Sequence, residues 1–307
     1  MDRHHDRLCR LPAARWSRIC PKAYSLLLLA LLNSLVLLLT AGCTERPKHT
    51  SPPPPPPGWK LTFGEEFDGP AGTAPDPLIW LHDIGGVGWG DKQLQYYTDR
   101  TDNVHLDGAG DLAITARRES SGLSCWYGPC AYTSAKVTTR QPQLATFSQG
   151  YGHFEARIKM PVGKGLWPAF WLLGDDINTV GYPRCGEIDV MEVLGDKPNQ
   201  VQQHAHGPGL NVGGATTLPA GQSVADWHTY AINWTPNRID WHIDGRVTRT
   251  MTKEEAGEAW VFDHPFYIVL NLAVGGRWPG DPDDATAFPA TVLIDYVRVY
   301  TTNNEGE

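Results

Sequence analysis

The chain has 307 residues, 41% of them hydrophobic, with 12 Trp, 32 Gly, 25 Pro and a formal net charge of −8. Such a wealth of turn formers and tryptophans suits one large all-β domain with one core, and argues against a helical protein or several small units. Residues 1 to 42 carry six basic and two acidic side chains, so the rest bears −12, a charge that repels phosphate backbones; nucleic acid is set aside as a partner and a neutral polymer stays compatible.

The first segment is a basic stretch (Arg3, Arg7, Arg10, Arg15, Arg18, Lys22) followed by the apolar run "SLLLLALLNSLVLLL" and "TAGC". This is the pattern of an export signal over residues 1–42. Uncleaved, the uncharged stretch from Ala23 to Gly42 is also about long enough to span a bilayer, where ~20 residues suffice. "LTAGC" resembles the cleavage box of bacterial lipoproteins, with Cys43 as the lipidated residue and Thr40 where Leu is more usual. A cell-surface lipoprotein is expected, with an uncleaved membrane anchor or plain secretion as alternatives. Residues 43–58 follow with six consecutive prolines and no apolar periodicity, the composition of an extended polyproline spacer.

From Trp59 onward apolar residues recur with period two. "YGHFEARIKM" places Phe154, Ala156, Ile158 and Met160 on one face and His153, Glu155, Arg157 and Lys159 on the other, as in a half-buried strand. "DLAITAR" and "VLIDYVRVY" read alike. "CWYGPC" reads as a small disulfide loop joining Cys125 and Cys130, because an exported compartment is oxidising and a Gly-Pro turn can bring the sulfurs together; two free thiols are the alternative. Cys185 is left as a buried, inert side chain. "IDWHIDGRVTRT" predicts a hairpin around Asp-Gly, with Ile239, Trp241 and Ile243 on one side. "TKEEAGEAW" has room for a helical turn or two. Many short strands separated by turns mean a sandwich or barrel over residues 59–301, with 302–307 as a tail.

"GEIDVMEVLG" sets three acids, Glu187, Asp189 and Glu192, in one apolar run. In a regular strand Glu187 and Asp189 share a face and Glu192 points the other way. A β-bulge near Val190 or Met191 would return Glu192 to the face of the other two. Two carboxylates about 5 to 5.5 Å apart are the equipment of a retaining glycosidase, one as nucleophile and one as acid and base. At that distance two full charges repel by roughly 3 kcal/mol at an effective dielectric near 20, enough to hold one acid protonated near neutrality. Asp189 between them can hydrogen-bond one glutamate and tune it. The competing readings are a solvated acidic face or a calcium site. "GLWPAFWLLG" and "RWPGDP" bring Trp167, Trp171 and Trp278 into play, as rings on which sugars stack or as core residues.

Together with "YTSAKVTTR", "YGHFEARIKMP", "HAHGPG" and "NLAVGGRWPGDP", these segments resemble the family-16 glycoside hydrolases, in particular bacterial laminarinase-like endo-β-1,3-glucanases. The resemblance runs from about Trp59 to Tyr300. It implies a concanavalin A-like β-jelly-roll sandwich with an open concave cleft, and retaining hydrolysis of a polysaccharide. By the same resemblance Glu187 is the nucleophile, Glu192 the acid/base and Asp189 their helper, in the bulged spacing of laminarinases and agarases. His206 corresponds to a histidine lining the cleft, and His204 shares its strand face. "GGVGWGDKQLQYYT" resembles the family's glucan-binding segment, with Trp89 and Tyr97 expected in the cleft wall and Asp91 and Gln93 standing where Asn and Glu are more usual. Catalysis needs no cofactor. Relatives carry a structural calcium, for which Glu66, Gly110 and Asp295 stand near the matching segments. A monomer is expected. The same machinery acting on mixed-linkage glucan, agarose, carrageenan or a galactan is the rival enzymatic reading, and a non-catalytic glucan-binding protein is the rival outside enzymes.

Overall fold

The computed structural model describes residues 58 to 302. The export signal, Cys43 and nearly all of the proline-rich linker lie outside the described residues, as do the last five positions of the tail. Period-two alternation becomes strand wherever it was read. In Gly152–Lys159 Phe154, Ala156 and Ile158 are buried while His153, Glu155 and Arg157 are half-buried. Arg238–Ile243 pairs antiparallel with Arg246–Thr252 around Asp244 and Gly245, both at positive φ (50° and 73°), the turn whose twist matches that of the flanking strands. "TKEEAGEAW" forms the short helix Lys253–Ala256, closed by a capping box between Thr252 and Glu255, and a 3₁₀ turn. A second short helix, Ile177–Val180, carries no sequence signal strong enough to have been expected. Cys125 and Cys130 are joined and Cys185 is a buried free thiol, both as read.

Apart from two small two-stranded hairpins, Arg140–Ala145 and Ser124–Pro129, the strands form two sheets. The larger has ten strands, with Arg246–Thr252 at one end, Gly152–Lys159 and Ala290–Thr302 in the middle and Gln95–Tyr97 at the other end. The smaller has seven, in the order Leu210–Thr217, Gln200–Gly207, Glu187–Glu192, Leu166–Gly174, Phe266–Val274, Lys136–Thr138, Leu81–His82. Their facing sides enclose one large apolar cluster that includes Phe154, Phe170, Ile188, Val201, Trp234, Trp241, Ile268 and Val297. Each inward-facing side chain of this size contributes about 1.5–3 kcal/mol by leaving water. The architecture is the jelly-roll sandwich, and the seven-stranded sheet turns its outer side to the cleft.

The strand Glu187–Glu192 lies at the third position of that sheet, and its register breaks where the acidic spacing required. Against Leu166–Gly174 the pairing steps from Trp171 with Asp189 to Phe170 with Met191, so Val190 is the extra residue. Against Gln200–Gly207 it steps from Asp189 with His204 to Glu192 with Gln202. Val190 and Met191 are both buried in the core, and the alternation on the cleft side resumes with Glu192. Trp241 of the opposite sheet, itself fully buried, donates from Nε1 to the Asp189 carbonyl at 2.9 Å, tying the backbone beside the bulge to the far layer of the sandwich. Trp241→Phe leaves that carbonyl without its donor and opens a small cavity. Loss of about 2 kcal/mol or more of unfolding free energy is expected in denaturant titration, and an unchanged midpoint would show that the bulge does not depend on this anchor.

Candidate active site

The cleft over the bulge has a volume of about 460 Å³ and is lined by Glu187, Asp189 and Glu192 together with Trp89, Trp167, Trp171, Tyr182, Gln93 and Asn271, among others. All three acids thus face one space. A carboxylate oxygen of Asp189 lies within 4.8 Å of one from each glutamate. A similar-sized hollow between Arg117, Arg118 and Phe288 holds none of these acids.

Each acid has a distinct set of partners. Glu192 accepts a hydrogen bond from Trp167 Nε1 at 3.0 Å, and its other oxygen lies 3.1 Å from His204 Nδ1. Two rigid rings from neighbouring strands therefore fix its carboxyl plane. His204 has room to lie flat because the residue opposite is Gly213, where a Cβ would stand 2.2 Å from the imidazole. Asp189 is hydrogen-bonded to Glu187, and His206 Nε2 lies 3.2 Å from Asp189 Oδ2 without the alignment of a hydrogen bond. Burial shifts the His206 imidazole down, which favours its neutral form.

The electrostatics follow from packing three acids into one largely buried site. Burial raises the Asp189 carboxyl well above the ordinary carboxylate range, and the charges of Glu192 and Glu187 push the same way. Glu187 is pushed up to about 7, by burial first and by Glu192 second, against the opposing pull of its Asp189 hydrogen bond and of Lys136. Asp189 is the more deeply enclosed of the two, so it keeps the proton and donates it to Glu187, which stabilises Glu187 as the anion. Lys136 Nζ pairs with Asp83 at 3.0 Å and lies over the rings of both Trp89 and Trp171, 4.7 and 4.9 Å from their centroids. Its ammonium lies close enough to favour the charged form of Glu187.

Of the residues expected in the wall, the three tryptophans Trp89, Trp167 and Trp171 form the lining. Trp278 sits at the edge of the cleft, 40% exposed, with its ring packed edge-on against Trp167 at 5.2 Å. Trp89 lines the cleft from a backbone at φ 45°, its indole N–H bound to the Gly85 carbonyl at 3.0 Å. Tyr97 does not line it. The ring is 1% exposed and lies beneath Trp89, with its hydroxyl donating to Gln93 Oε1 and accepting from Asn271 Nδ2. Period two points it inward from a strand already at the sheet's edge. Asp91 joins two cleft loops, accepting from Trp278 N at 3.0 Å. Asn271 and Tyr182, which line the cleft, and Lys136, which packs against two of its lining rings, are residues that sequence reasoning did not single out. An isolated charge in the strand "AKVTT" and an exposed aromatic before Pro183 are their faint signals.

The residues offered for calcium do not fit the ion through their side chains. Glu66 accepts two hydrogen bonds from Arg298, at 2.8 and 2.7 Å, and Asp295 is ion-paired with Arg157. Both carboxylates are thus committed to guanidinium groups. Gly110 sits in the turn after Asp107, at φ 94°. Among the described residues, the clusters of His and acids close enough to share an ion are both in the cleft.

Comparison with known proteins places this geometry in a lineage. Residues 88–298 match the profile of glycosyl hydrolases family 16. A β-glucanase from Rhodothermus marinus is 40% identical over 258 residues, spanning 79% of this chain and 85% of the relative. The laminarinase catalytic domain from Thermotoga maritima superimposes with a TM-score of 0.73 at 43% identity, covering 80% of this chain and 99% of that one. The endo-β-1,3-glucanase from Pyrococcus furiosus gives 0.73 at 42% identity, covering 80% and 95%. With its bulged acidic strand at the floor of a tryptophan-lined cleft, the chain belongs to glycosyl hydrolases family 16.

Proposed function

We propose that the domain is an endo-acting retaining glycoside hydrolase that cleaves β-1,3-glucan by double displacement. The observation that carries this reading is the bulge, which turns Glu187, Asp189 and Glu192 to one cleft and gives the two glutamates different surroundings. Glu187, charged and hydrogen-bonded by Asp189, attacks the anomeric carbon. Glu192, held by Trp167 and His204, protonates the departing oxygen, so the glycosidic bond breaks as the bond to Glu187 forms. Glu192 then takes a proton from water, whose oxygen displaces Glu187 and restores both carboxyls with net retention. Trp89, Trp171 and Trp278 offer faces to the sugar C–H groups. The β-1,3 linkage and attack within a chain are supported by the relatives named as endo-1,3-glucanases.

Incubation with laminarin, lichenan, agarose and carrageenan, with products sized, tests the substrate. Laminarin should yield short oligosaccharides with wild type, and Glu187→Gln should lose on the order of a thousandfold or more in kcat while staying folded. A folded variant with near wild-type turnover would remove Glu187 from the nucleophile role.

Glu192→Ala should lose activity on polysaccharide, whose leaving oxygen needs the proton, and on an activated aryl glycoside it should be accelerated by azide, because an external anion attacks the glycosyl-enzyme without needing a base. A glycosyl azide retaining the β configuration is the expected product. Absence of any rescue on an activated aryl glycoside would count against Glu192 as acid/base.

The pH dependence has a definite sign. Glu187 attacks only when charged, and its carboxyl is raised, so kcat/KM should fall on the acid side with a midpoint well above the ordinary value of about 4.3. The ammonium of Lys136 favours the charged form, so Lys136→Met should move this limb to higher pH. A limb that stays put or moves to lower pH would show that Lys136 does not act on the nucleophile.

A further inference from the structure

The disulfide hairpin Ser124–Pro129 plays no part in the chemistry above, yet it is built against the segment that carries Trp89. Trp126 N donates to the Gly86 carbonyl at 2.8 Å, Trp126 Nε1 to the Gln93 carbonyl at 2.8 Å and Tyr127 Oη to the Leu94 carbonyl at 2.7 Å. Lys92 lies over the Trp126 ring, 5.5 Å from its centroid. Gly86 lets the two surfaces meet: a Cβ there would stand 2.6 Å from Cys125 Sγ. The hairpin therefore grips the Gly86–Leu94 segment at both ends, with Trp89 between them. A disulfide closing so short a loop adds only about 2 kcal/mol to global stability, so its effect is local rigidity of the hairpin tip.

The grip continues into the cleft floor. Gln93 Oε1 accepts from Gln95 Nε2 at 2.7 Å and from the Tyr97 hydroxyl at 3.3 Å. Tyr97 Oη in turn accepts from Asn271 Nδ2 at 3.2 Å, and Asn271 Oδ1 accepts from Trp171 Nε1 at 2.8 Å. Trp89 itself holds an uncommon positive φ, a conformation that a bulky residue keeps only when its surroundings over-determine it.

We propose that the Cys125–Cys130 hairpin is a positioning clamp, which holds the Gly86–Leu94 segment so that Trp89 presents its face to a sugar unit away from the cleaved bond. Trp126, Tyr127 and the disulfide are specificity-determining residues that act through Trp89 and touch no reacting atom. The inference rests on the glucanase reading for its substrate. Pre-ordering the loop removes an entropy cost of binding that is the same in the ground and transition states, so the clamp affects KM and leaves kcat alone.

The test uses two variants, Trp126→Phe with Tyr127→Phe, which keeps an aromatic ring at each position and removes both side-chain donors, and Cys125→Ser with Cys130→Ser. Each should raise KM for laminarin roughly fivefold to tenfold with kcat within about twofold, the first by losing two hydrogen bonds of ordinary strength and the second by loosening the hairpin that makes them. In a Trp89→Ala background the same substitutions should add nothing. Hydrogen exchange of the amides from Gly86 to Leu94 needs no substrate and should quicken in both variants. Unchanged exchange overturns the clamp whether or not laminarin is cleaved. With exchange quickened, an unchanged KM, a fall confined to kcat, or a full further KM rise in the Trp89→Ala background would each refute the action through Trp89. A wild type that degrades none of the four polysaccharides would overturn the glucanase reading and with it the binding role of the clamp.

Discussion

Three carboxyl groups share one pocket, and their mutual repulsion is the constraint around which the rest is arranged. At distances near 5 Å such charges cost several kilocalories per mole unless protons or cations relieve them. Relief here comes from a proton retained by Asp189, from the Lys136 ammonium and from hydrogen bonds to Glu192 by Trp167 and His204. The same features that make the acids tolerable also make them unequal. Inequality is what a double displacement requires, one group as a nucleophile and the other as a proton donor.

The bulge and the sandwich are inseparable in this arrangement. One inserted residue turns Glu192 to the cleft and sends Val190 and Met191 into the core, so the site is held by apolar burial as well as by polar contacts. The Trp241 indole ties the irregular backbone at Asp189 to the opposite sheet of the sandwich. A one-residue slip in a strand moves every side chain to the wrong face, and a core this closely packed does not accept such a slip. Away from the acids, the loops between Gly85 and Leu94 and around Trp278 are joined through Asp91, and the disulfide hairpin holds the first of them. Chemistry rests on strands, and recognition of the polymer rests on loops carried by them.

Much of this was legible because it is local. Side-chain period, the Asp-Gly turn between Ile243 and Arg246, the capping box at Thr252 and the short spacing of Cys125 and Cys130 all act within a few residues. The step of three between Asp189 and Glu192 likewise announces a bulge without reference to any partner strand. Tyr97 was misplaced for the opposite reason. Whether an aromatic near the cleft lines it or supports it from beneath depends on what covers it, here Trp89. Glu66 and Asp295 read as free acids in a linear chain, whereas the guanidinium groups that engage them come from positions 232 and 138 residues away.

By itself the sequence determined an all-β chain, the bulged strand that brings Glu187, Asp189 and Glu192 to one face, and the family to which the motifs belong, since each depends on residue identity and spacing over short stretches. Only the tertiary structure decided which acid keeps the proton, that Lys136 is the cation beside Trp89 and Trp171, that Asn271 and Tyr182 share the cleft, and that the Trp126 hairpin seats the loop bearing Trp89. Those outcomes depend on burial and on contacts between segments far apart in the chain, which no local pattern encodes.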